Sequence, residues 1–178
     1  MAISSGLLST QTNEWETPQW LFDELNAEFG FTLDPCATAA NAKCEQFFTA
    51  EDDGLAQAWH GAAFVNPPYG REISKWVKKS WEESRRGCVV VMLIASRTDT
   101  RYWHDYVMQA DEIRFIRGRL HFSLGGKVGD STPFPSAVIV FRGGGGPPKT
   151  RSLKSRSKNR GGGRGDFRAE NQRRSDEH

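Results

Sequence analysis

The feature that most restricts the fold is an unbroken apolar run, Cys88–Ala95, eight residues without one charged or amide side chain. A run this short, with three consecutive valines, reads as a strand covered on both faces. Covering both faces requires helices on either side, and the sequence supplies them. Ile73, Trp76, Val77, Ser80, Trp81 and Ser84 recur at helical spacing up to Gly87, and Tyr102, Trp103, Tyr106 and Val107 repeat the pattern beyond the run. Upstream, Leu21, Phe22, Leu25 and Phe29 form one apolar helix face. Thr17 can cap that helix, Pro18 suits its first position, and Gly30 ends it.

Phe31-Thr32-Leu33, Phe47-Phe48 and Ala62–Val65 read as strands before the apolar run, and Glu112–Ile116, Arg119–Ser123 and Ser136–Phe141 as strands after it. Strands alternating with helices predict an α/β fold with a mostly parallel, twisted sheet. The last strands follow one another without helices, which predicts an antiparallel edge. In such sheets ligands bind beyond the carboxyl ends of the strands. Asp34 and Asn66 both fall there.

Charge divides the chain. Beyond residue 142 there are ten Lys and Arg against four Asp and Glu; in residues 1–142, fourteen against eighteen. With almost no apolar residues, segment 143–178 reads as a basic, unstructured tail that tethers nucleic acid, or else as a solubilising end. Residues 1–13 read as a flexible N-terminus, leaving 14–142 as one folded domain. Three cysteines, no C-x-x-C pair and no ligand spacing among the four histidines argue against a disulfide framework or a metal site. Reduced thiols in a cytoplasm fit best. No apolar run is long enough to span a bilayer, so no membrane partner is expected.

The chemistry concentrates at Asn66-Pro67-Pro68-Tyr69, at the end of the Ala62–Val65 strand. Asn66 offers a side-chain carbonyl, and Pro67 a backbone carbonyl with no N–H. Pro68 holds Pro67 extended. Two acceptors therefore stand beside an aromatic ring. Gripping both hydrogens of a planar amine localises its nitrogen lone pair, which can then attack an electrophilic methyl group. Such catalysis rests on positioning and preorganised dipoles, and Tyr69 can stack on a base that has left its duplex. The alternative is a proline-rich turn without function.

Taken together, several stretches resemble one family. They are Glu14-Trp15-Glu16-Thr17-Pro18 with Leu21-Phe22; Leu33-Asp34-Pro35-Cys36-Ala37; Glu51-Asp52-Asp53-Gly54-Leu55 with Trp59; Asn66-Pro67-Pro68-Tyr69; Arg97-Thr98-Asp99-Thr100; and Gly118-Arg119-Leu120-His121-Phe122. Over residues 14–142 the chain resembles the phage-type DNA N6-adenine methyltransferases, relatives of the Dam enzymes. The resemblance implies a Rossmann-like class I methyltransferase fold of reduced size, S-adenosylmethionine as cofactor and double-stranded DNA as partner. It implies that Thr17 and Pro18 hold the methionine end of the cofactor and that Asp34, with Pro35, Cys36 and Ala37, forms the cofactor loop. The Gly-x-Gly that normally follows is missing here. Asp52 or Asp53 would meet the cofactor's adenine or ribose, or simply form a solvated turn. Arg97, Thr98, Arg117 and Arg119 are candidate DNA contacts, with paired surface charges as the alternative for the arginines. The short spacing from Asp34 to Asn66 implies that one strand–helix unit is trimmed. Asn-Pro-Pro-Tyr also serves methyl transfer to RNA guanine or protein glutamine; a cytosine-N4 target, which Asn at position 66 suits less well, and a non-catalytic DNA-binding relic are the remaining alternatives.

Overall fold

A computed structural model describes residues 16–124 and 127–155. In chain order the elements are α1 (Gln19–Phe29), β1 (Leu33–Asp34), β2 (Gln46–Phe47), β3 (Ala62–Val65), α2 (Ile73–Arg85), β4 (Val89–Ala95), α3 (Arg101–Asp105), β5 (Glu112–Arg117), β6 (His121–Leu124), β7 (Lys127–Ser131), β8 (Ser136–Phe141) and β9 (Lys149–Lys154). Seven strands form one sheet in the order β2-β1-β3-β4-β8-β5-β9, while β6 and β7 pair separately. This is the mixed α/β, mostly parallel architecture expected of a small Rossmann-like methyltransferase.

The apolar run becomes β4, paired with β3 on one side and β8 on the other. Its side chains alternate between two cores, as the pleat requires. Val90, Met92 and Ile94 pack with Trp76, Val77 and Trp103 beneath α2 and α3. Val91 and Leu93 pack on the opposite face with Leu21, Phe22 and Leu25 of α1 and with Leu120 and Phe122. Each helix thus covers the sheet with the residues whose spacing announced it.

Four expectations need correction. The antiparallel member, β8, lies inside the sheet between β4 and β5, not at its edge. Direct connections allow this, because a chain that has crossed one strand can return beside it. The segment after Leu124 holds β7, bonded to β6 through Ser123↔Val128, where only a loop was expected. Thr17 makes no capping bond; Pro18 occupies the cap position, and its carbonyl accepts from Leu21 and Phe22. Backbone pairing of Glu16 with Ser123 sets Thr17's path instead.

The fourth correction concerns the basic segment beyond residue 142. Its part Lys149–Lys154 is an edge strand, parallel to β5 over six register pairs. The glycine run before it is a tight crossing rather than a loose linker. Gly143 has φ +75°, and a Cβ there would lie 2.5 Å from the Ser84 carbonyl oxygen. A strand with this few apolar side chains is held by its backbone ladder and by charge. Arg114, only 1% exposed, donates two bonds to Glu28 at 2.7 and 2.6 Å and one to Glu112 at 3.0 Å. Arg142 and Arg151 join the same two carboxylates, at 3.4–3.7 Å. Arg114 and Arg142 also lie against the Phe29 ring, near 5 Å from its centroid. Residues 1–13 and 156–178, for which flexibility was expected, lie outside the described residues, as does Trp15.

The network predicts a stability effect. Glu28→Ala leaves Arg114 buried with Glu112 alone. Because Glu28 is itself 41% exposed, the loss falls below that of a fully buried pair, at about 2 kcal/mol. Urea unfolding of the variant checks this; an unchanged midpoint would mean the network holds nothing together.

Candidate active site

Leu33 of β1 pairs with Gln46 of β2 on one side and Ala63 of β3 on the other. The chain therefore winds one way from β1 to β2 and the other way to β3. Where winding reverses, the loops leaving adjacent strands part and open a crevice beyond their carboxyl ends. Asp34 closes β1 there, and Asn66 directly follows β3. Between β1 and β3 the chain forms the two-residue β2 and turns but no helix, in keeping with a trimmed unit.

The crevice is a cleft of about 190 Å³. It brings together Thr17, Asp34, Pro35, Cys36, Ala37, Asp53, Asn66, Pro67, Pro68 and Tyr69, ten of the residues singled out in the sequence. Pro18 and Asp52 are not in its lining. Asp52 is occupied locally: its carboxylate accepts from the Thr49 backbone N–H at 2.8 Å and from the Thr49 hydroxyl at 2.9 Å. Arg97, Thr98, Arg117 and Arg119 are exposed and lie outside the cleft. The lining also includes Asn41, Lys43, Gly54, Phe64 and Trp76, which sequence reasoning missed. The positions of Asn41, Lys43 and Gly54 depend on how the irregular segment 38–61 folds back, which no periodicity reports; Phe64 and Trp76 lie on β3 and α2, where their spacing marks them as core.

Asp34 organises this segment. Its Oδ2 accepts the Lys43 backbone N–H at 3.1 Å, and its backbone carbonyl accepts Phe48 N–H at 3.0 Å. Thr38 N–H is taken by Asn41 Oδ1 at 2.7 Å, closing the loop on itself. The loop packs closely against a different glycine, Gly54. A Cβ on Gly54 would run into the Pro35 carbonyl oxygen. Trp59 fixes Gly54 by donating its indole N–H to the Gly54 carbonyl at 2.8 Å, and it stacks on Trp76 with rings 6.2 Å apart.

Burial dominates the electrostatics. It pushes the Asp34 carboxyl up to about 6, against the backbone donors of Lys43 and Cys36. A buried carboxylate on a cleft wall, incompletely compensated, fits a ligand that brings an ammonium group. The Cys36 thiol is raised far above its ordinary range by burial and by the Asp34 charge, while the Asn66 backbone N–H donates to its sulfur. Cys36 therefore packs on the cleft wall and holds the Asn66 backbone. Burial, with Tyr102 nearby, likewise raises the Tyr69 phenol. That hydroxyl is sealed from solvent without a hydrogen-bond partner, and the Asn66 side-chain oxygen is sealed too. The Tyr69 ring meets Phe134 at 5.1 Å and the edge of Phe122 at 6.3 Å.

The raised Asp34 value has a thermodynamic sign. The folded protein holds that proton more tightly than the unfolded chain, so stability falls as pH climbs from the usual carboxylate range near 4 to about 6. The penalty is complete above that window and absent below it. Asp34→Asn should thus stabilise the ligand-free protein by about 2 kcal/mol at pH 7.5 and negligibly at pH 4. Unfolding at the two pH values decides the matter, and equal effects at both would contradict it. Gly54→Ala should weaken the cleft through its clash with Pro35, read as lost ligand binding and a lower melting temperature.

Comparison with known proteins gives this geometry a context. Residues 4–164 match the family DNA N-6-adenine-methyltransferase (Dam). The chain is 29% identical to the DNA N-6-adenine-methyltransferase of Haemophilus phage HP1 over 147 residues, 79% of this chain and 85% of that relative. It is also 29% identical to the DNA N-6-adenine-methyltransferase of Escherichia phage T1 over 148 residues, 72% of this chain and 62% of that relative.

Proposed function

The chain belongs to the DNA N-6-adenine-methyltransferase (Dam) family, and from this we propose that it transfers a methyl group from S-adenosylmethionine to N6 of adenine in double-stranded DNA. One observation supports the reading above all others. The Asn66–Tyr69 motif and the buried Asp34 share one cleft, at the point where the sheet reverses its winding.

The residues divide the work between two ligands. Asp34 would take the ammonium of the cofactor, which compensates the charge that burial destabilises. Thr17 and the N-terminal end of α1 suit its carboxylate, since the first helical N–H groups have no internal acceptor. Asp53 would accept from the adenosine moiety. When bound, the cofactor supplies a methyl group already activated on a sulfonium. No strong general base is then required at the outset, and the chain's task is to hold the target amine in line.

Asn66 would accept one N6 hydrogen with its side-chain oxygen, and Pro67 the other with its backbone carbonyl. Pro68 stiffens the pair. An adenine inside a duplex cannot reach these acceptors, so it must leave the stack, an extrusion that stacking on Tyr69 offsets. In the conformation described here the Asn66 oxygen is closed off and Phe134 leans on Tyr69. Entry of the base therefore requires the segment carrying Phe134 to move aside. Arg97 and Thr98, exposed on the loop after β4 at the same edge, would contact the DNA around the extruded base.

Incubation of DNA with labelled S-adenosylmethionine, followed by nucleoside analysis, should give N6-methyladenine; N4-methylcytosine alone or no labelled nucleoside would overturn the proposal. Asn66→Ala should bind cofactor normally but lower the methyl-transfer rate by roughly a hundredfold, about 3 kcal/mol, by analogy with removal of one oxyanion donor. Tyr69→Phe should keep activity, since the hydroxyl has no partner to lose, whereas Tyr69→Ala should lose about 1–3 kcal/mol, chiefly in DNA capture. Equal losses in both Tyr69 variants would contradict stacking.

A further inference from the structure

We propose that a basic groove at the carboxyl ends of β5 and β9 grips the phosphate backbone of duplex DNA beside the extruded adenine, an assignment that rests on the methyltransferase reading above. The groove is about 600 Å³ and is lined by Arg117, Gly118, Arg119, His121, Lys154 and Ser155, with no carboxylate among them.

Its charges differ in kind from three neighbouring arginines. Arg114, Arg142 and Arg151 share Glu28 and Glu112. Among the described residues, no carboxylate pairs with Arg117, Arg119 or Lys154. Arg117 and Lys154 are nevertheless register partners on adjacent parallel strands. Like charges set opposite each other in a sheet destabilise it. The fold tolerates this pair without internal compensation, as a site for an external anion would require. The frame around the groove is rigid. Ser155 N–H donates to the Arg117 carbonyl at 3.2 Å, and its hydroxyl donates to the Arg119 carbonyl at 3.4 Å. Gly118, at φ +90°, lets the turn pass close to Ser155, whose Cβ lies 3.6 Å from where a glycine Cβ would stand.

Position favours duplex DNA as the occupant. β5 runs in the same direction as β3, because β8 between β4 and β5 reverses the direction twice. The groove and the Asn66 motif therefore open on the same edge of the sheet. Three strand spacings separate β3 from β5, about 14 Å, and one DNA strand covers that span in about four nucleotides at roughly 3.4 Å each. A duplex presenting one base to Asn66 thus carries its flanking phosphates across Arg117, Arg119 and Lys154.

The test is the triple variant R117Q/R119Q/K154Q in the full chain, titrated with a labelled 20-base-pair duplex across a range of salt. The logarithm of affinity against the logarithm of salt should become shallower by about 2–3, at roughly 0.9 for each phosphate that the variant no longer neutralises. Calorimetric binding of S-adenosylmethionine should not change. A control, K75Q/K78Q on α2, where both lysines sit beside glutamates, should keep the wild-type slope. A triple variant with the wild-type slope overturns the groove, as does one that changes the slope only on duplex RNA. If the wild-type protein methylates no DNA yet the triple variant loses the slope, the methyl-transfer reading falls and the groove stands.

Discussion

Asp34 keeps a carboxylate out of water at the end of a two-residue strand, and the surrounding structure answers to that charge. Backbone donors from Cys36 and Lys43 converge on it, which forces the chain between them into a closed loop. That loop stands where the resemblance leads one to look for a glycine-rich turn. The acidic turn at Asp52-Asp53-Gly54 then seats against Pro35, where a side chain on residue 54 would not fit. Trp59 and Trp76 stack beneath and hold the turn in place. The donors only partly offset the burial, and the remainder is available to a cationic ligand. The charge that shapes the pocket is thus also the charge the pocket can use.

What the sequence revealed followed the regularity of each element. β3, β4, β8 and α2 were legible nearly to the residue, because buried strands and amphipathic helices impose strong periodic demands on side chains. The four-residue motif after β3 was legible for another reason: two prolines behind an asparagine restrict the backbone whatever surrounds them. Lys43, Asn41 and Gly54 were not legible. They reach the cleft through hydrogen bonds and packing between loops, which leave no period in the chain. β9 was hidden by composition. Six residues with one leucine among lysines, arginine, threonine and serine look like a solvated tail, and only the neighbouring strand's exposed ladder makes them a strand. The position of β8 was missed because direct connections say which strands run antiparallel, not which gap they enter.

Charge performs two unlike tasks along β5 and β9. At one stretch, three arginines and two glutamates satisfy one another around Phe29 and fasten the edge strand to α1. At the other, cations face each other without compensation. A single short strand carries both, since Arg151 and Lys154 lie three residues apart. The anchoring part makes the exposed part possible: an edge strand with so little apolar area would otherwise fray.

The pairing of Glu16 with Ser123 joins two regions that sequence distance keeps apart. On one side of it the chain continues to Thr17, on the cleft wall; on the other, Phe122 supports the ring of Tyr69. The part of the cleft at Thr17 and the part at Tyr69 therefore share a wall. Any coupling between occupants of the two parts is reciprocal: whatever one gains from the other's presence, the other gains equally. The methyl donor and the base proposed above would then each tighten the other's hold by the same factor, whichever arrives first.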